Sequence, residues 1–165
     1  MIQVSIVDYP IIIAFWLTFT RWVAILFQFP LFDNVAVPVV VKVLTALIIS
    51  YAFFPIVQNH MVQEVMQIGI DHFWYLTIFH TLIGLFVGFL VKTIMSLFVA
   101  AGSLMTQQIG FSSVSYFDPT YVANIGPFEK IIQWTVIIMI LSTGALLPLF
   151  KGVLNSFFSI SIMSL

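Results

Sequence analysis

The sequence has 165 residues, 62% hydrophobic and 7% charged, with a mean hydropathy of +1.18, whereas about a quarter of residues in soluble domains are charged. This composition is that of an integral membrane protein. A net charge of -1 and the absence of cysteine exclude a basic nucleic-acid surface, disulfides, thiolate metal sites and cysteine nucleophiles.

In chain order, the opening MIQVSIVDYP carries Asp8 where a signal peptide has a basic region, and no small-residue cleavage site follows. The first apolar run, about 10–32, is therefore expected to stay as a helix. A second run covers about 35–57, with Pro38 in its first turn, where the missing N–H costs little. Its many β-branched residues would favour a strand in water, but in lipid only a helix or a closed barrel satisfies the backbone, and no period-2 alternation supports a barrel. Next comes QNHMVQEVMQIGIDHF, acidic through Glu64 and Asp71 and without Lys or Arg. It reads as a short interfacial segment on the trans side, with Lys42, Lys92 and Lys130 on the cytoplasmic side.

A third run, about 73–101, would extend roughly 44 Å as a helix, against a hydrocarbon core of about 30 Å. It must tilt or project. Gly84 and Gly88 within it form a small-xxx-small face for close helix packing. A fourth run covers about 131–150, followed by KGVLNSFFSISIMSL. The expected fold class is all-α: helical hairpins in one membrane domain spanning 1–165.

Few residues invite chemistry. Arg21 lies in the middle of the first run, where a cation costs at least about 2.5–3.5 kcal/mol. Every carboxylate falls outside the four runs, so no counterion at similar depth is visible in the sequence. Arg21 is expected to face an aqueous cavity, a backbone terminus or another subunit, or to be lifted to an interface by a segment that does not span squarely. Lys42 and Lys92 are nearer their segment ends and can snorkel.

His60 and Glu64 share the i,i+4 spacing, but no third ligand joins them, and His72 and His80 do not assemble with them; no metal or other cofactor is implied. His80 is also open to reading as a pH-sensitive hydrogen-bonding group. The GFSSV stretch at Gly110–Val114 lacks the second glycine and the preceding strand of a nucleophile elbow, so Ser112 and Ser113 make a poor hydrolase. No catalytic residue is expected.

Between the third and fourth runs lies SLMTQQIGFSSVSYFDP, which sets Ile109, Phe111, Val114, Tyr116 and Phe117 among Gln107, Gln108, Ser112, Ser113 and Ser115, with Gly110 as a turn. Polar, irregular backbone at membrane depth is tolerated only inside protein or along a water-filled cavity. An ordinary loop outside the bilayer has little use for so many bulky apolar groups, whereas a constriction that closes by excluding water does.

The order of these features resembles the R-type subunit of the type III secretion export gate, the FliR/SctT family of flagella and injectisomes. Phe19-Thr20-Arg21 followed by Pro30-Leu31-Phe32 is similar to that family's opening pattern, and Val37-Pro38 with Lys42 to its next helix start. The helix with Gly84 and Gly88 is similar to its glycine-bearing helix. The passage from Gly102 through Gln108-Ile109-Gly110 to Phe117-Asp118-Pro119 matches the family's spacing. Thr143-Gly144-Ala145 departs from a common Asn-Gly-His, and Gly102-Ser103 from a small-acidic pair. Family chains also continue with hairpins similar to the Q-type subunit that are not found in these residues, so the chain is expected to be the portion related to the P-type subunit, either truncated or separate.

The resemblance implies a non-enzymatic structural subunit in the bacterial inner membrane, within the flagellar basal body or secretion apparatus. P-type and Q-type gate subunits and the B-type switch subunit are its implied partners, with membrane lipid around it and unfolded flagellar proteins passing through the shared helical cone. In that setting Gln107, Gln108, Ile109, Gly110, Phe111, Ser112, Ser113, Val114, Ser115, Tyr116 and Phe117 would plug the conduit, the plug-like segment covering about 106–117. Arg21 would be an inter-subunit or water-facing charge. The alternative from the residues alone is a self-contained small-solute or ion transporter, although embedded carboxylates and repeated broken helices are missing.

Overall fold

The computed structural model describes residues 8–29, 37–110, 116–118 and 123–160. Five helices dominate: α1 (Tyr9–Gln28), α2 (Val39–Ile68), α3 (Phe73–Gln108), α4 (Pro127–Ser142) and α5 (Leu146–Ser159). A single 3₁₀ turn, Ile70–His72, links α2 to α3. The all-α expectation holds, with one small addition: Tyr116–Asp118 (β1) pairs antiparallel with Ala123–Ile125 (β2), Phe117 opposite Asn124.

Apolar side chains on nearly every face make these segments helices in lipid, because each backbone N–H then finds its carbonyl within the same segment. α1, α2 and the stretch from Ile70 to Gln108 are long and apolar enough to cross a membrane. At 1.5 Å per residue α2 is about 45 Å long and α3 about 54 Å, so both outrun a hydrocarbon core of about 30 Å.

The element bounds differ from hydropathy in three places. α2 runs on to Ile68 with Pro55 inside it, absorbing most of the stretch expected as an interfacial segment. A proline there removes one backbone bond, a loss that membrane helices tolerate because neighbours re-satisfy the carbonyl. α3 continues to Gln108, so Thr106, Gln107 and Gln108 of the expected irregular passage are helical. The fourth run is two helices, α4 and α5, bent by 77° at Thr143–Ala145, where Gly144 takes a φ of +67°. Hydropathy hides that corner because the chain stays apolar through it.

α1 is the centre of the bundle, packed between α2 and α3, while α4 lies along the far half of α3 and α5 rests on α2. The core joins Leu17, Trp22 and Ile25 of α1 to Val57, Met61 and Val65 of α2, Leu76 of α3, and Val153 and Phe157 of α5. Three rings knit its middle: Trp22 and Phe53 stack at 5.6 Å, and Phe150 from α5 sits 5.8 Å from Trp22 and 6.0 Å from Phe53. Offset stacks of this kind add attraction beyond simple burial.

Candidate functional site

The conspicuous polar feature of the bundle is a buried chain of three side chains from three helices. Arg21 on α1, His80 on α3 and Glu64 on α2 are each 0% exposed. Arg21 Nη2 lies 2.8 Å from His80 Nδ1, and His80 Nε2 lies 3.5 Å from Glu64 Oε2. The second distance is an electrostatic contact, longer than an ordinary hydrogen bond.

The guanidinium also reaches a fourth helix. Arg21 Nη1 donates to the Ser156 carbonyl at 3.0 Å and Nη2 to the Ile160 carbonyl at 3.4 Å, while Cζ lies 4.2 Å from the centre of the Phe157 ring. The Ser156 carbonyl also accepts from the Ile160 N–H, so the guanidinium takes the oxygen's second lone pair and meets the negative end of the helix dipole. Arg21 thus caps the carboxyl end of α5.

Hydrogen-bond chemistry fixes the histidine. A guanidinium has donors and no acceptor, so His80 Nδ1 must be the acceptor and the ring proton of neutral His80 sits on Nε2, towards Glu64. The node therefore runs from a cation through a neutral imidazole to a carboxylate. Its charges cancel inside an apolar bundle, where an isolated one would be costly.

Backbone proximity sets the spacing. α3 crosses α1 at Gly84, where an added Cβ would lie 2.6 Å from the Arg21 carbonyl oxygen and 2.8 Å from Ala24 Cβ. At Gly88 it would lie 3.0 Å from Gln28 Cβ. Gln28 Nε2 also donates to the Leu85 carbonyl at 2.7 Å across the same crossing. Gly84 is one turn from His80, so this contact brings the imidazole to Arg21.

Within this chain Arg21 finds these partners, the carboxyl end of α5 among them. Hydropathy alone does not point to Glu64, His80 and the end of α5 as its partners. Glu64 falls outside the apolar runs because its neighbours are polar. The signal that could have found it is helical spacing carried past Val57, which puts His60 and Glu64 on one face, together with a second polar residue, His80, deep in the third run. Among the described residues no group of His, Asp and Glu is arranged to hold a metal ion.

At the other end of α3, Gly102 packs on the first turn of α4, where an added Cβ would lie 3.0 Å from Ile132 Cδ1 and 3.3 Å from Glu129 Cα. Thr106 is buried and sits beside Gly126, and Glu129 accepts from the Gly126 N–H at 3.4 Å. The chain therefore leaves α3 and re-enters α4 at one place. Gln107, Gln108, Ile109 and Gly110 are exposed there, with Ile109 55% accessible. Gly110 has a φ of +80°, a left-handed value that ends the helix and that residues with a Cβ seldom adopt. Phe111, Ser112, Ser113, Val114 and Ser115 lie outside the described residues, as does Pro119; Tyr116 and Phe117 belong to β1.

Residues 12–165 match the family of bacterial export proteins, family 1. Over 161 residues the chain is 30% identical to the flagellar biosynthetic protein FliR of Bacillus subtilis (strain 168), an alignment that takes in 96% of this chain and 59% of that protein. The chain thus spans less than two thirds of that relative's length. No solved structure matches it. A family match over nearly the whole chain, on a set of helices fit to cross a membrane, makes this chain a member of the bacterial export proteins, family 1.

Proposed function

We propose that this chain is a structural, non-enzymatic subunit of the flagellar protein export gate in the bacterial inner membrane, where it helps form and plug the conduit for unfolded flagellar proteins. The observation that carries this reading is the family match across residues 12–165, joined to the relative's role in flagellar biosynthesis given by its name. The P-type and Q-type gate subunits are its neighbours in the cone, with the B-type switch subunit beside it. No observation favours a self-contained small-solute or ion transporter.

The plug is the segment between the pinned ends of α3 and α4. Gly102, Thr106 and Gly126 hold the two ends together, which anchors the segment where it leaves α3 and where it joins α4. Bulky apolar side chains exclude water from such a constriction, and the serines and glutamines keep its backbone hydrated once it is displaced.

Deleting residues 107–117 in the assembled, full-length gate tests this. Ion conductance across the membrane rises in the resting state if the segment is the plug. Unchanged conductance in a complex that assembles normally overturns the plug role, and loss of export with no copurifying gate subunits points to an assembly role in its place.

A further inference from the structure

We infer that the Arg21–His80–Glu64 node is a proton-sensitive clasp on α5: it holds the carboxyl end of that helix against α1–α3 only while His80 Nδ1 is unprotonated. The inference rests on which atoms face which. Arg21 Nη2 approaches His80 Nδ1 at 2.8 Å, and the same guanidinium reaches the Ser156 and Ile160 carbonyls of α5. One side chain therefore serves the imidazole and the end of α5 at once.

A guanidinium always donates. A proton added to His80 Nδ1 would set an N–H against an N–H and place a second cation beside Arg21, within a node already closed to water. Both effects drive the guanidinium from the imidazole. The closed arrangement cannot carry that proton and the open one can, so acidification favours the open one.

The charged and titratable groups facing His80 are few. From α1 comes Arg21, and from α2 come Glu64 and, within electrostatic reach, His60. What α5 presents is the Phe157 ring over Arg21 and Phe158, whose ring lies 5.4 Å from His60. Among the described residues α5 carries a single titratable side chain, Lys151, which is exposed. Glu64 stabilises a protonated ring, which lets the proton enter without leaving two bare cations. The switch thus has an acceptor that must be free, a neighbour that tolerates its charging, and a helix end that depends on the outcome.

The test uses the absence of cysteine in this sequence. Spin labels on cysteines introduced by Met66→Cys on α2 and Asn155→Cys on α5, both exposed positions, report the separation of the two helices in lipid vesicles. On lowering the pH from about 8 to about 4, past the ordinary histidine range because the closed node resists the proton, the main distance is expected to give way to a longer one. His80→Gln, which cannot take up a proton, should abolish that response, while His60→Gln should leave it in place. A distance distribution that does not change with pH overturns the clasp. So does a response that survives His80→Gln, or one lost in His60→Gln, since the proton would then act elsewhere. Because the first measurement needs no change at the node, it decides even where a node variant does not fold.

Discussion

The two halves of α3 are made of similar residues and lead opposite lives. From Leu76 to Gly88 the helix buries Leu76, His80, Ile83, Gly84 and Gly88 against its own chain, whereas beyond Gly88 it buries only Gly102 and Thr106. In between, Phe89, Leu90, Ile94, Leu97 and Phe98 stand exposed on the surface of the chain. The amino-terminal half belongs to a bundle closed by its own polar node. The carboxy-terminal half, with α4, is an arm whose apolar faces are left exposed among the described residues. Composition cannot distinguish the halves; the small residues and the three polar side chains do.

The sharpest way to break the closed half is to unbalance its node. Arg21→Met takes the cation out of the node and the cap off the end of α5, a change worth about 3–5 kcal/mol. Unfolding in mixed micelles should show it as a large loss of stability. Replacing the three together, Arg21→Met, His80→Leu and Glu64→Leu, removes both charges and should recover much of that loss. If the triple variant is as unstable as the single one, capping of α5 outweighs charge balance.

Next in size is the crossing. At Gly84 the obstacle to a methyl group is the Arg21 backbone, and at Gly88 the nearest atom is Gln28 Cβ. Gly84→Ala should therefore force α3 from α1 and cost about 1–3 kcal/mol, as overpacking does, with Gly88→Ala costing less. Equal effects would mean that the helices separate as rigid bodies over the whole crossing.

Much of this was legible in the sequence, and the omissions have physical causes. Gly84 and Gly88 announce a close approach by their spacing, and Arg21 announces a need for partners by its depth. The partners stayed hidden because hydropathy averages over all faces of a helix. Around Glu64 that average is lowered by Gln58, Asn59, His60 and Gln63, even though Met61 and Val65 continue the buried face. The corner at Gly144 stayed hidden for the converse reason: Ile140, Leu141, Leu146 and Leu147 flank it, so greasiness persists while the helix does not. The ends of α3 and α4 meet through Gly102, Thr106 and Gly126, a contact between residues far apart in sequence that no local pattern encodes.

The smallest effect on the isolated chain is expected on the arm. Leu97 is 65% exposed, and in a bilayer lipid tails are as apolar as leucine, so Leu97→Ala removes little that lipid does not replace. Its stability in micelles should stay within about 0.5 kcal/mol of the parent, as surface substitutions do. A partner helix would read the same change differently, since association in lipid depends on fitted van der Waals contact and a missing side chain leaves a gap in it. If the export-gate function proposed above holds, copurification of gate subunits with Leu97→Ala should fall while the chain's own unfolding is unmoved. Were both unmoved, the arm at this position would face lipid, and the partner surface would have to lie elsewhere around α3 and α4.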